Sequence, residues 1–205
     1  MLGELSKTHE SNGNPACISS GEGDGGGKSY GMYQFSSKYN IPVDFANWMA
    51  EQDLEYGKRL LNAGEYYSWF FDEVWKDIAN ENNEHFAYLQ HEYTKIMYYD
   101  VAKSILLDKY NYNLENHSEA LKNVIWSMAV QYSPYVMNDF VSELKENYSI
   151  DDMNTIIDEQ LIDIIYDIRK KESWMSGSPD LQEGLIDRFN QEHDDAIEML
   201  RKEGL

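Results

Sequence analysis

The stretch that most limits what this chain can fold into is GEGDGGGKSYG, Gly21 to Gly31, where six of eleven residues are glycine. Glycine loses more backbone freedom on folding than any other residue, so such a run belongs in a loop or tight turn. Residues 10–42 hold most of the glycine and two of the four prolines, with little apolar periodicity. From Val43 onward the texture is helical. VDFANWMAEQDLEYGKRLLNAG places Phe45, Trp48, Met49, Leu54, Leu60 and Leu61 at helical spacing, and Gly64 reads as the stop. EYYSWFFDEVWKDIANENN continues in the same style, and EHFAYLQHEYTKIMYYDVAKSILLDKY predicts a longer helix ended by NYNLEN. SEALKNVIWSMAVQ is apolar enough for a buried central helix, with Ser118 three residues before Leu121 as its opening. SPYVMNDFVSELKEN carries Pro134 near its first turn, a favoured place for proline. Two further helical runs follow, with Asp151, Asp152 and Asp180 placed where acidic groups favour helix starts. The expectation is a mainly α, α+β chain: a helical bundle with one glycine-rich excursion near its N-terminus, no internal repeat and no long alternating strand.

The 205 residues suit a single domain spanning 1–205, with the excursion at about 10–42. Loops longer than about 12–15 residues are uncommon in compact domains and tend to be functional. Seventeen basic residues against 37 acidic ones give a net charge of −20, which excludes nucleic acid as a partner and disfavours anionic membranes. The same charge fits a neutral or cationic partner such as a glycan, and equally a charge that only keeps the protein soluble. A single cysteine, Cys17, excludes an internal disulfide framework and any multi-cysteine metal site. No apolar run approaches the roughly 18 residues of a membrane span. The opening MLGELSKTHE lacks a basic segment followed by an apolar core, so no secretory signal is expected there.

Four chemistries could use the glycine stretch. A phosphate cradle needs G-x-x-x-x-G-K-[ST]; the run ends correctly in Gly27-Lys28-Ser29, but Glu22 stands where the first glycine belongs and no apolar strand precedes it. An EF-hand fails from its second ligand, because alternate positions after Asp24 are Gly26 and Lys28. A non-standard cation site through Glu22 and Asp24 stays open. A flexible linker would be isolated from aromatics, whereas SYGMYQF follows directly and lets Tyr30, Tyr33 and Phe35 pair across a short hairpin. The fourth reading is an active-site hairpin. Glu10, at the end of a short helical pattern, and Asp24, in the glycine turn, form a pair of carboxylates of the type that glycosidic cleavage requires. The acid must hold its proton near neutral pH and should be partly buried, which suits Glu10 beside the core; Asp24, among glycines, should stay ionised.

HESNGNPACISSGEGDGGGKSYGMYQFSS, with Glu10-Ser11, Ser19-Ser20-Gly21, Gly23-Asp24-Gly25-Gly26 and Ser29-Tyr30-Gly31-Met32-Tyr33-Gln34, resembles the catalytic start of lysozyme-like peptidoglycan hydrolases. These occur in phage endolysins and in the effector domain of type VI secretion spike proteins. Asp24 to Gly31 also resembles the turn of bacterial chitosanases, with Ser29 in place of threonine. The resemblance is close over residues 9–37 and looser after residue 120, where VIWSMAVQ and IIYDIRKKES carry it. Asn12, where glycine is frequent, and Pro15-Ala16-Cys17 depart from the pattern. The resemblance implies a lysozyme-like fold whose small N-terminal β-hairpin lines a sugar cleft. It implies Glu10 as general acid, Asp24 as general base or ion stabiliser, and Ser29 as a holder of the attacking water. Tyr30, Tyr33, Gln34 and Gln131 would contact the glycan, or in the case of Tyr30 and Gln34 brace the hairpin. Peptidoglycan or a related amino-sugar glycan would be the substrate, cleaved with inversion by a bacteriolytic monomer needing no cofactor or metal. The chain would be made in the cytoplasm and act on the wall after release or delivery. A chitosanase-like enzyme or a non-catalytic glycan-binding protein of a phage or wall complex are the alternatives.

Elsewhere, Trp126 reads as core, and Gln131 is five residues on in the same apolar helix. Arg169 in IIYDIRK reads as either a buried ion pair bracing the bundle or a surface charge. His9, His85, His91, His117 and His193 show no metal spacing, and HEYTK at His91 fails the zinc-protease pattern at Lys95.

Overall fold

Short polar side chains at the helix starts divide the helical texture into separate elements. In the computed structural model, which describes residues 2–6, 13–20, 27–176 and 182–204, these elements group into two units, Glu10–Lys95 and Met1–His9 with Ile96–Leu205.

The first unit opens with a three-stranded antiparallel sheet, β1 (Ile18–Ser19), β2 (Ser29–Tyr30) and β3 (Phe35–Ser36), in the order β1-β2-β3. In sequence, the glycine-rich run begins after β1 and ends just beyond β2. Four helices follow: α1 (Ile41–Gln52), α2 (Leu54–Leu61), α3 (Trp69–Glu81) and α4 (Asn83–Thr94). The continuous helical spacing from Val43 to Gly64 therefore resolves into two helices. The break is at Asp53, whose backbone is extended and whose carboxylate accepts from the Tyr56 N–H at 3.2 Å, capping α2. Gly57 lets α2 approach α1: a Cβ there would lie 2.3 Å from the Ala50 backbone. Ser68 and Asn82 cap α3 and α4 in the same way as Asp53. The core of this unit is aromatic, with Trp75 between Tyr30, Phe45 and Phe86 at centroid distances of 5.2, 5.6 and 5.0 Å.

The expected long helix across residues 84–110 is present but contains a π-helical turn, Lys95–Tyr99, between α4 and α5 (Asp100–Tyr110). The second unit continues with α6 (Glu119–Tyr132), α7 (Val136–Tyr148), α8 (Asp158–Arg169), the short α9 (Glu172–Met175) and α10 (Gln182–Lys202). Ser118 caps α6 through the Leu121 N–H at 3.1 Å, as its spacing predicts. Helix α6 is the central one, buried along Leu121, Val124, Ile125, Trp126 and Met128 and packed against α5, α7, α8 and α10. Asp151 and Asp152 do not head a helix. Asp152 instead caps a 3-10 turn over Met153–Thr155, and α8 begins only at Asp158. Asp180 lies outside the described residues. The fold is mainly α with a small antiparallel sheet, which agrees with an α+β lysozyme-like arrangement. No helix among the described residues is long and apolar enough to cross a membrane.

Arg169 is fully buried. Its guanidinium donates to Glu192 at 2.9 Å, to the Ser127 hydroxyl at 3.2 Å and to the Gln131 side-chain carbonyl, and it lies over the Phe189 ring at 4.4 Å. Glu192, also buried, accepts in addition from Ser127 and Arg188. One polar knot thereby ties α6, α8 and α10. Burial opposes ionisation of Glu192, but the Arg169 and Arg188 charges outweigh it and hold the carboxyl at about 2. Removing one partner leaves the other charge uncompensated, so Glu192→Gln should cost about 3–5 kcal/mol at pH 7 in urea unfolding. A carboxyl whose folded pKa is depressed stabilises the fold above its unfolded value and loses that contribution as pH falls through the folded one. The gap between wild type and Glu192→Gln should therefore narrow between about pH 4.5 and about pH 2.

Candidate functional site

Antiparallel partners share a face of the sheet. Ile18, Tyr30 and Phe35 are aligned in one row, and Ser19, Ser29 and Ser36 in the next, so the two faces are chemically opposite. Tyr30 and Phe35 are buried, while all three serines are half-buried. Ser29 sits on the middle strand of the hydroxyl-bearing face, its backbone held by a neighbour on each side.

The far end of the glycine-rich connection is held by Asp72, in the first turn of α3, where the helix dipole favours an anion. Its two oxygens accept from the Lys28 ammonium and from the Tyr30 hydroxyl, at 2.5 and 2.6 Å. Lys28 also donates to the Tyr67 carbonyl at 2.9 Å. The lysine that completes the apparent Gly-Lys-Ser phosphate signature is thus engaged inside the protein. Burial, and then the hydrogen bond and charge of Asp72, push the Tyr30 phenol far up, so it stays a donor at all working pH values.

The β2–β3 turn is fixed from below by α4. Buried Gln90 accepts from the Met32 N–H at 2.8 Å and donates to the Pro15 carbonyl at 3.0 Å, and the Trp75 indole N–H donates to the same carbonyl at 2.9 Å. Gly31, at φ +75°, passes so close that a Cβ would come within 2.3 Å of the Gln90 oxygen. The Gly31 N–H closes the other side by donating to the Cys17 carbonyl at 2.7 Å.

Against this scaffold the residues expected from sequence fall as follows. Glu10 and Asp24 lie outside the described residues. Ser29 is on the hydroxyl face. Tyr30 is buried and braces the hairpin through Asp72, and it presents no open ring to a ligand. Tyr33 is also buried, its hydroxyl 2.8 Å from His91 Nδ1. Gln34, at φ +50°, donates to the Gly31 carbonyl at 3.0 Å and so stabilises its own turn. Gln131 belongs to the second unit and accepts from Arg169. Asp72, Trp75 and Gln90, which hold the site's frame, carried no sequence signal beyond helical spacing, because their partners are 42 to 75 positions away. The aromatic run YYSWFF also hid a division: Phe71 is buried, while Trp69 and Phe70 are 65% and 66% exposed. Among the described residues no group of three or more His, Cys, Asp or Glu is disposed to hold a metal ion.

The family of type VI secretion system spike proteins, VgrG3-like, C-terminal region, matches residues 2–193 of this chain. The chain belongs to this family. The match to the VgrG3-like family runs through both units and includes Glu10, Asp24, Ser29 and Gln131. A curated relative, the type VI secretion system spike protein VgrG3 of Vibrio cholerae serotype O1, is 34% identical over 132 residues. That alignment covers 64% of this chain and 12% of the relative, so the matched stretch is about an eighth of that protein's length.

The tight approach at Gly31 yields a direct expectation. Gly31→Ala combines a strained positive φ with a clash against Gln90, and should lower stability by about 2 kcal/mol or more in denaturant unfolding. Tyr30→Phe removes a hydrogen bond to a carboxylate and should cost about 1.5–3 kcal/mol, with Lys28 still held by Asp72.

Proposed function

We propose that this chain is a glycoside hydrolase that cleaves the glycan backbone of bacterial peptidoglycan, with Glu10 as general acid and Asp24 as general base. The observation that carries the reading is the frame at the two ends of the sequence segment that contains Asp24: Ser19 pairs with Ser29, and Lys28 is held by Asp72. A catalytic carboxylate needs a fixed origin for its reach, and strand ends held in this way supply one for a segment attached to them. The lysozyme-like motif around Glu10 and Asp24, and membership of the VgrG3-like spike family, support the same reading.

In this mechanism Glu10 protonates the departing glycosidic oxygen. Asp24 takes a proton from a water that attacks the anomeric carbon from the opposite face, which inverts the configuration. Inversion needs the two carboxyl groups about 6.5–9.5 Å apart to admit the water. Ser29, five residues after Asp24 on the hydroxyl face, is the group that orients this water. Gln34 is the further proposed glycan contact on this unit, with Tyr30 and the buried Tyr33 bracing the hairpin. The enzyme acts as a monomer, is made in the cytoplasm, and reaches the wall as part of a secretion spike. A chitosanase-like substrate is the second reading, favoured by the net charge of −20 and by the Asp24-to-Gly31 turn.

The test compares wild type with Glu10→Gln and Asp24→Asn on purified peptidoglycan, by turbidity and product mass. New reducing ends from wild type, with at least about a hundredfold loss in each variant, are expected. Anhydro-muramyl products would reassign the chain to a transglycosylase. Cleavage of chitosan alone would keep the carboxylate chemistry and change the substrate. Glycan binding without cleavage of either polymer would leave a binding module.

A further inference from the structure

The second unit contains an open groove of about 630 Å³ between the end of α6, one face of α7, and α9. One wall is acidic. Asp139, Glu143 and Glu146 recur at i, i+4 and i+7 along α7, so they line one side of that helix, with Ser142 between them. The facing wall is aromatic, made by Trp174 edge-on to Tyr132 at 5.4 Å.

Three observations say what such a groove accepts. Glu143 is already committed: Lys171 pairs with it at 2.7 Å, Asn147 donates to it, and the Trp174 side chain hydrogen-bonds it, which fixes the indole as a wall. Asp139 and Glu146 have no lysine or arginine within ion-pair distance among the described residues, and no basic residue is among those lining the groove. Those two carboxylates are also spaced along a wall and do not converge, and no metal-binding group is formed there. The groove therefore offers separate negative charges beside two aromatic rings. A protonated amine on a polar, ring-sized body satisfies both walls, by charge pairing on one side and by cation–π and stacking contact on the other.

We propose that this groove binds a glucosamine unit that carries a free ammonium in place of its acetamide. The amino-sugar assignment rests on the glycan-hydrolase reading above, whereas the preference for an ammonium rests on the groove alone. The charge of the chain as a whole acts in the same direction, concentrating cationic glycan near the surface.

The experiment titrates the full chain with glucosamine tetramer and with its fully N-acetylated counterpart, following the Trp174 indole N–H by NMR, assigned through Trp174→Phe. The glucosamine tetramer should shift that signal and bind at least about fivefold more tightly than the acetylated form. The advantage should shrink as salt is raised. Asp139→Asn with Glu146→Gln, both exposed, should abolish the preference while leaving the fold and the Trp174 signal in place. No shift with the glucosamine tetramer, or equal affinity for the two tetramers, overturns the proposal. So does a wall peptide with a free side-chain amine that moves Trp174 when the tetramer does not. Wall lysis without tetramer binding would sink this inference and leave the hydrolase reading standing. Tetramer binding without hydrolysis of any glycan would do the reverse.

Discussion

The carboxylate of Asp72 is the contact on which the N-terminal unit depends. A glycine-rich connection is costly to order, because each residue fixed gives up about 1–2 kcal/mol of backbone entropy and glycine gives up the most. The protein answers at the ends of the connection. Asp72 gathers an ammonium from Lys28 and a hydroxyl from Tyr30, two residues on the same side of β2, at a helix N-terminus that already favours negative charge. Charge-assisted hydrogen bonds of this sort contribute roughly 1.5–3 kcal/mol each, enough to offset the ordering of the few residues that flank the loop. Gln90 and Trp75 perform the same service on the Pro15 side. The frame is polar at its base and aromatic around it, so the strand ends are placed in direction as well as in depth.

The second unit is tied by a different polar knot. Arg169 and Glu192 would each be expensive to bury alone, and together they are tolerated because Ser127, Gln131 and Arg188 supply further hydrogen bonds, with only the Arg169 Nε–H of the guanidinium left without a partner among the described residues. Three helices must arrive in one register for that set to close. The knot thus specifies an arrangement as much as it stabilises one, and it explains why Gln131 belongs to the interior of this unit on one side while lining the acidic groove on the other.

Signals that act within one turn of chain were legible in the sequence. Ser118 caps α6 where its spacing from Leu121 requires, Trp126 is core, Arg169 takes the buried ion pair of the two readings its apolar run left open, and Tyr30 pairs with Phe35 across a hairpin. Signals that depend on a competing local structure were misread. Asp53 splits what looks like one helix because its side chain caps the next one, and Asp152 spends its carboxylate on a 3-10 turn, leaving α8 to start at Asp158. Of the site, the sequence showed Ser29, Tyr30, Tyr33, Gln34 and Gln131 as candidates, but not that Tyr30 and Tyr33 face inward.

What the sequence determined by itself is the class of the chain: helix by periodicity and one glycine-rich excursion near the N-terminus by composition. Each of these is written in neighbouring residues. The tertiary structure decided which of the many tyrosines and tryptophans are walls and which are core, that Lys28 answers to Asp72, and that acids of α7 line the same groove as Trp174. Those outcomes depend on partners dozens of positions apart, and the energy of burying or pairing a side chain is settled only when the folded chain brings them within a few ångströms.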